Sequence, residues 1–320
     1  MFPAKKLELG AALSLALSFA LPGVTAQETV RQDFGPKISP DGTQVVFYSY
    51  LGENKPDIYI VNVDGTNVRQ LTDTPDTWEI LPRWSPDGSR IYVTAGPAMG
   101  KTAIYSMKTD GSDWRQESFP PADSGDGDAT LAQGPDGAML FFSRGIPGGG
   151  QQLLLRKSEG AELEVVMTMN IENAYAARLG FHPDGKRVLF TSSFGVKENP
   201  RPYELYSLDI ASGRASQITY TPQTWERQAA WTRDGEGILF ANDEAGSFDL
   251  YRIPAEGGEK VRITRMDRSH ELFSDLRGDL LVFDAGYYPD NVHSCIYAAD
   301  ANGENVRLLT GSCDYHLPKD

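Results

Sequence analysis

The sequence has few of the residues that build metal centres and disulfide scaffolds. It contains two cysteines, Cys295 and Cys313, and four histidines in 320 residues. This scarcity excludes disulfide-rich folds and multi-cysteine zinc sites. Basic residues are also in deficit, because 30 Lys and Arg stand against 44 Asp and Glu, a net charge of −14 at pH 7. A chain this acidic is not expected to bind nucleic acid or an anionic membrane surface nonspecifically.

Long hydrophobic runs are missing as well. The longest apolar segment, from Ala11 to Leu21, is shorter than the ~20 residues that a membrane-spanning helix needs. Lys5 and Lys6 precede it and small residues up to Ala26 follow, an order typical of a secretory signal peptide. We predict cleavage after Ala26 and a protein in the periplasm or outside the cell, with no membrane span. A retained anchor is the alternative.

Signatures of the common hydrolases are absent. There is no Gly-x-Ser-x-Gly nucleophile elbow, and His270-Glu271 has no second histidine four residues later. The sequence therefore lacks the motifs of α/β-hydrolases and of zinc proteases with two histidines on one helix. No helical periodicity interrupts the chain after residue 28, which favours an all-β fold.

What the sequence does contain is one unit repeated six times. Each copy carries a turn of the Ser-Pro-Asp-Gly type, although the sixth is shortened. The turns are Ser39–Gly42, Ser85–Gly88, Gly134–Gly137, His182–Gly185, Thr232–Gly235 and Leu276–Asp279. Their glycines recur every 43 to 50 residues, a period typical of propellers and solenoids.

Each copy also contains four short strand patterns. A short strand precedes the turn, and an almost wholly apolar one such as Val188–Phe190 follows it, as expected for a strand buried on both faces. The third carries an aliphatic-Tyr pair such as Ile58-Tyr59, and a hairpin turn such as Asp64-Gly65 leads to a fourth that ends in Leu71-Thr72. The pattern predicts a six-bladed β-propeller of four-stranded antiparallel blades. An open solenoid would need polar capping units, which the sequence does not show.

One propeller accounts for residues 27–320, after a signal peptide at residues 1–26. The six repeats are placed near residues 33–77, 78–126, 127–174, 175–224, 225–269 and 270–316.

The repeats resemble the WD40-like PD40 repeats of TolB-type β-propellers. The resemblance rests on the Ser-Pro-Asp-Gly turns and on strings such as Asp57–Tyr59, Asp64–Asn67 and Arg69–Thr72, and it is strong in copies 1, 2, 4 and 5. It implies a stand-alone TolB-like propeller, because no residues remain for the α/β domain that precedes the propeller in TolB. Likewise, no residues remain for the hydrolase domain that follows the propeller in peptidases of the prolyl-oligopeptidase type.

Both cysteines fall in the last copy. Cys295 begins its third strand, and Cys313 lies just past its fourth. Since copy 1 starts at its own first strand, we expect the ring to close by side-chain packing. A disulfide between the two cysteines, consistent with export, is predicted to tie the last strand to its sheet. Two buried free thiols are the alternative.

One position of the repeat is predicted to gather acidic residues at a mouth of the central channel. This position lies eight residues before the turn aspartate, and an aromatic residue or histidine often precedes it. Arg178 and Arg227 enter the same region, and His316 is placed near it. The predicted ligand-binding residues are Asp33, Trp78, Glu79, Asp128, Tyr175, Arg178, Trp225, Glu226, His270 and Glu271.

Carboxylates with aromatic neighbours could hold a divalent cation, a basic peptide or a polyhydroxylated ligand. The alternative is structural, with each acid capping backbone groups or pairing with an arginine. Separately, Asp123, Asp126 and Asp128 are candidate ligands of calcium or another divalent cation, although they lack the loop length and terminal glutamate of an EF-hand. A solvated loop is the alternative there. No other cofactor is expected.

Two functions follow. The first is a non-catalytic exported monomer that binds a protein or peptide partner through the channel mouth and the loops between blades. The second is a small enzyme, a lyase or hydrolase acting on carbohydrates or lactones, with channel carboxylates and a divalent cation. We favour the first because no catalytic motif is recognisable, although the fold alone does not decide between them.

Overall fold

The computed structural model describes residues 31–52, 54–170, 176–193, 203–266, 269–287, 292–311 and 313. These residues form 24 β-strands and no helix. The strands make six antiparallel sheets, each built from four consecutive strands. Six such sheets around a common axis form the predicted six-bladed propeller.

In blades 1 to 3, the strands run from the channel outwards in chain order. Blade 1 contains β1 (Arg31–Ile38), β2 (Gln44–Leu51), β3 (Asp57–Asn62) and β4 (Arg69–Gln70). Blade 2 contains β5 (Trp78–Trp84), β6 (Arg90–Gly96), β7 (Ala103–Lys108) and β8 (Arg115–Gln116). Blade 3 contains β9 (Asp126–Gly134), β10 (Gly137–Gly145), β11 (Gln151–Arg156) and β12 (Leu163–Met169).

Blades 4 to 6 repeat this order. Blade 4 contains β13 (Ala177–Phe181), β14 (Arg187–Ser192), β15 (Glu204–Asp209) and β16 (Arg214–Gln217). Blade 5 contains β17 (Glu226–Trp231), β18 (Gly237–Asn242), β19 (Asp249–Pro254) and β20 (Val261–Arg262). Blade 6 contains β21 (Ser269–Arg277), β22 (Leu280–Tyr287), β23 (Val292–Asp300) and β24 (Arg307–Leu308).

The second strand of each blade is buried on both faces, as its apolar sequence predicted. In blade 1, Val45, Val46 and Phe47 have no exposed surface. Val46 packs in one core cluster with Ile91 of blade 2, whereas Val45 and Phe47 pack in another with Val282 of blade 6. Alternate side chains of a strand point to opposite faces, so one apolar run holds two neighbouring blades.

The innermost strands are longer than the sequence pattern suggested. β1 has eight residues and β5 has seven, because pairing with the second strand begins at Arg31 and at Trp78, before the acidic position, and continues towards the turn. Each inner strand is interrupted by a register shift, with left-handed backbone (φ 54–61°) at Leu81, Asp128, Arg178 and Gln228. A bulge of this kind bends the strand and re-aims the side chains that follow it.

The ring closes between blades 6 and 1 through side chains. The Thr310 hydroxyl donates a hydrogen bond to Asp33 at 2.5 Å, and the Gly35 amide donates one to Asp284 at 2.8 Å. Among the described residues, each of these two blades contains only its own four strands. Within the described residues, the contact between these two blades is therefore made by side chains and not by a shared strand.

Cys295 and Cys313 form the predicted disulfide, with Cα atoms 6.1 Å apart. Both residues are buried, and the Tyr297 hydroxyl donates a hydrogen bond to the Cys313 carbonyl at 2.6 Å. The bond fixes the segment after β24 to the third strand of blade 6. Closing a loop of this length contributes about 3 kcal/mol through the entropy of the unfolded chain.

The predicted signal peptide lies outside the described residues. Within the part of the chain that is described, no helix is long and apolar enough to cross a membrane.

Candidate functional site in the central channel

Four of the predicted acidic residues lie in the junctions between blades, where they are sealed from solvent. Their side chains contact the hydroxyl of a threonine that follows the outer strand of the preceding blade. All four acids are at most 1% exposed. The pairs are Asp33 with Thr310, Glu79 with Thr72, Glu226 with Thr219, and Glu271 with Thr264.

Each of these threonines also serves its own blade. The Thr72 hydroxyl accepts a hydrogen bond from the Ile58 amide at 2.9 Å, and Thr219 accepts one from the Leu205 amide at 2.9 Å. A hydroxyl has one donor and can accept as well, so it links the third strand of one blade to the carboxylate of the next. The Leu-Thr ending and the acidic position are therefore two halves of one inter-blade contact. A spacing of seven residues, as from Thr219 to Glu226, was the sequence signal for it.

Burial changes the protonation of these carboxyl groups. Removal from water raises the pKa of Glu226 to about 7, although the hydrogen bond from Thr219 acts in the opposite direction. Burial likewise raises the pKa of Asp33, of Glu79 and of Glu271. Carboxyl groups sealed in this way link neighbouring blades.

In blade 3, Asp126 occupies the acidic position, two residues before the Asp128 that the turn spacing predicted. The Asp126 amide donates to the Thr102 carbonyl at 2.8 Å, the contact that the Glu226 amide makes with Tyr203 at 3.1 Å. The β9–β10 hairpin remains paired up to its two-residue turn, which places two more residues between the acid and the turn. Asp128 consequently lies at the bulge.

The three aspartates considered for a cation are arranged differently from one another. Asp126 is buried, and its two carboxylate oxygens accept hydrogen bonds from Nε and Nη2 of Arg144 at 2.6 and 2.7 Å. Asp128 accepts a hydrogen bond from the Arg178 amide, and Asp123 is exposed. Among the described residues, no group of three or more His, Cys, Asp or Glu side chains could hold a metal ion.

The aromatic residues that precede the acids pack across the same junctions. Each contacts an aromatic ring of the preceding blade, edge-on for Trp78 and tilted for Trp225 and His270. The pairs are Trp78 with Tyr50 at 6.1 Å, Trp225 with Tyr203 at 5.4 Å, and His270 with Phe248 at 5.4 Å between ring centres. Tyr175 and His316 lie outside the described residues.

Two arginines predicted near the acidic position have distinct surroundings. Arg227 is exposed and lies over the rings of Trp225 and Phe248, at 5.2 and 4.9 Å. Arg178 reaches from blade 4 to Phe273 of blade 6, with its guanidinium 4.6 Å from the ring centre. A contact between blades that are not neighbours places the Arg178 side chain inside the channel.

An open cavity lies at the other end of the channel, beside the Pro-Asp-Gly turns, which we term the turn end. Its volume is about 350 Å³, and the inner strands of all six blades line it. The charged lining residues are Lys37, Arg83, Arg233 and Asp275, a formal charge of 3 − 1 = +2. The cavity is therefore basic in a chain whose net charge is −14.

The cations of this cavity retain unused hydrogen-bond donors. The Lys37 ammonium donates to the Ser274 carbonyl at 2.7 Å, and Arg83 donates to its neighbouring Pro82 carbonyl at 3.1 Å. Lysine has three N–H donors and arginine five, and the described residues provide no carboxylate within ion-pair distance of either. Burial lowers the pKa of Lys37 to about 8, partly offset by the charge of Asp275.

The cavity wall also contains large aromatic side chains. The Trp84 indole N–H donates to the Lys37 carbonyl at 2.9 Å, which fixes that ring beside the ammonium-bearing residue. Trp231 is buried, and its indole nitrogen has no partner among the described residues. His182, the first residue of the turn in blade 4, is buried against Trp231 with ring centres 4.7 Å apart.

Sequence reasoning missed this cavity, although one position of the repeat builds it. That position lies two residues after the bulge and four after the acid. It is occupied in blade order by Lys37, Arg83, Thr130, Gly180, Ala230 and Asp275. The small residues of blades 4 and 5 leave space opposite the cations of blades 1 and 2.

Comparisons with known proteins agree with this architecture. The family model described as the TolB beta propeller domain, PD40, matches residues 25–176. An uncharacterized protein of Agrobacterium fabrum is 25% identical over 186 residues, 55% of this chain and 58% of that protein. The alignment thus spans less than two thirds of that relative.

Solved structures share the fold. A protein provisionally assigned as TolB from Agrobacterium tumefaciens has a TM-score of 0.62 at 24% identity, covering 81% of this chain and 90% of that one. The oligogalacturonate lyase of Vibrio parahaemolyticus has a TM-score of 0.59 at 14% identity, covering 89% and 79%. The class is that of six-bladed β-propellers. Within it, the repeats of residues 25–176 are similar to the PD40 repeats of TolB-like propellers.

Proposed function

We propose that this protein is an exported binding propeller, without catalytic activity of its own, that holds a protein or peptide partner at the turn end of its channel. The observation that carries the proposal is the basic cavity in an otherwise acidic molecule. Lys37 and Arg83 are held there with N–H donors to spare. A concave site with a few convergent polar groups and an apolar wall is the usual form of a ligand site.

The rim of the cavity supports binding because hydrogen bonds within its turns hold it in shape. In the first turn, the Asp41 carboxylate accepts hydrogen bonds from the Ser39 hydroxyl at 2.6 Å and the Thr43 amide at 3.0 Å. These bonds lower the pKa of Asp41 and keep its carboxylate turned back onto its own loop. Asp87 makes the equivalent contacts with Ser85 and Ser89. Short, ordered loops on a rigid frame suit recognition of a partner.

Affinity capture from the cell envelope tests the proposal. The immobilised wild-type protein is compared with Arg233→Glu, which reverses an exposed charge at the cavity. Arg69→Glu, an exposed arginine on β4, is the matched control. We expect one partner to be retained by the wild type and by Arg69→Glu, and to be lost with Arg233→Glu. Retention of that partner by all three proteins would contradict the assignment of the turn end.

A second function has one specific observation in its favour. The cation-lined channel would also suit the carboxylates of an acidic sugar, and the fold is shared with an oligogalacturonate lyase. Lys37, with its pKa lowered to about 8, could accept a proton at mildly alkaline pH. Incubation with oligogalacturonate and added manganese tests this. Ultraviolet absorbance from an unsaturated product, lost with Lys37→Met, would establish the enzyme and refute the non-catalytic proposal.

A further inference from the structure

We infer that the turn-end cavity binds a free carboxylate, the C-terminal carboxylate of a peptide chain. The inference rests on the proposed function and specifies the ligand group that the cavity would recognise. It depends on three features of the described residues: the local charge, the free donors and the shape of the channel.

The charge of the cavity favours an anionic group. Lys37 and Arg83 come from adjacent blades and occupy the same position of the repeat, so both point into one space. Asp275, the acid of the lining, is already engaged. It accepts a hydrogen bond from the Ile38 amide at 2.9 Å and lies 3.7 Å from Arg233. An incoming carboxylate would therefore meet two cations whose charge is not matched by a contacting acid.

The donors favour an oxygen ligand. A carboxylate accepts several hydrogen bonds, and bonds from charged donors to it are the strong ones. Lys37 and Arg83 both line the cavity and keep N–H donors that no carboxylate of the described residues occupies.

The shape favours a chain end over an internal acidic side chain. The cavity is enclosed laterally by the inner strands of six blades, so it can be entered only along the propeller axis. A chain terminus can enter this way with one strand of polypeptide, whereas an internal residue requires two. At about 350 Å³, the cavity is at the small end of the roughly 300–1,000 Å³ that ligand sites span. The aromatic wall beside Trp84 and Phe181 would contact the terminal side chains.

A pair of peptide libraries tests the inference. One is a randomised library of N-acetylated tetrapeptides with free C-termini, and the other is the same library with C-terminal amides. Each is passed over the immobilised full-length protein, and retained peptides are quantified by mass spectrometry. We expect the acids to be retained at least roughly tenfold more than the amides. Trigalacturonate, a carboxylate-bearing sugar, is tested as a competitor of the retained peptides.

Variants locate the binding and separate it from misfolding. Lys37→Met and Arg233→Ala should each reduce retention of the acids towards that of the amides, and Arg69→Ala should not. Arg233 is exposed, so its replacement should leave the fold intact. The Arg233→Ala variant therefore still reports on peptide binding if Lys37→Met folds poorly, and circular dichroism would reveal such misfolding.

Three results would overturn the inference: equal retention of acids and amides, no retention of either, or retention of trigalacturonate alone. If the envelope partner is still captured through Arg233 in those cases, the proposed binding function stands and only the carboxylate assignment fails. If capture also fails, the turn end is not a binding site.

Discussion

Replacement of Glu226 by glutamine should weaken the pH dependence of folding. The carboxyl group is fully buried between blades 4 and 5, where it accepts hydrogen bonds from the hydroxyls of Thr219 and Thr221. Glutamine has nearly the same shape and is neutral at every pH. It therefore reproduces the protonated form of the acid and removes the ionisation.

The magnitude follows from the shifted protonation. Burial raises the pKa of Glu226 from an ordinary value of 4.5 to about 7. The folded protein thus binds this proton more tightly than the unfolded chain. Its contribution to stability is complete below the unfolded value and is lost as the pH rises through about 7. With about 1.4 kcal/mol for each pH unit between the two pKa values, raising the pH from about 5.5 to about 8.5 should cost about 2 kcal/mol.

Urea unfolding at these two pH values measures the effect. We expect the difference in unfolding free energy between the two conditions to be about 2 kcal/mol smaller for Glu226→Gln than for the wild type. Glu236→Gln, at an exposed position on the turn of the same blade, is the control and should behave as the wild type. A pH dependence in Glu226→Gln as steep as that of the wild type would refute the reasoning that this carboxyl is sealed and protonated.

Three further substitutions test the framework by urea unfolding. Thr219→Val removes the hydroxyl that links blades 4 and 5 and should cost about 2 kcal/mol, whereas Thr219→Ser should retain most of that stability. Joint replacement of Cys295 and Cys313 by serine should cost about 3 kcal/mol, and a reductant should erase the difference from the wild type. Asp126→Asn leaves the largely buried Arg144 without its charge partner, at a cost of about 3 kcal/mol.

Each of these has an outcome that contradicts it. Equal stability of the valine and serine variants would show that the threonine methyl, not its hydroxyl, supports the junction. An unchanged midpoint on reduction of the wild type would show that the disulfide contributes nothing. For the Asp126–Arg144 pair, adding Arg144→Met to Asp126→Asn should restore part of the lost unfolding free energy. Further destabilisation by the second substitution would argue against a paired buried charge.

The architecture could be predicted from the sequence because the same structural signals recur in all or most of the six repeats. Turn glycines, the apolar second strand and the Leu-Thr ending recur in register, and each reports a local constraint. The misplacement of the acidic residue of blade 3, Asp128 in place of Asp126, arose because alignment on the turn assumed a constant distance from acid to turn. The paired hairpin of blade 3 is two residues longer on that side, and only strand pairing reveals it.

The site was harder to predict because the spacing of residues along a strand does not by itself determine the face to which each side chain points. Strict alternation in a strand assigns each side chain to a face, but the bulge in every inner strand shifts that assignment by one residue. Lys37 and Arg83 therefore enter the channel. The sequence showed which positions were acidic, but not that Thr72 and its equivalents were their partners.

The central claim is that a partner contacts the turn end of the channel. The most direct measurement is photocrosslinking in cells with a photoreactive residue in place of Gln133, an exposed side chain that lines the cavity. The same residue in place of Gln116, exposed on the outer strand of blade 2, is the control. We predict one discrete adduct from position 133 and none from position 116. No adduct at position 133, or the same adduct at both positions, would contradict the account.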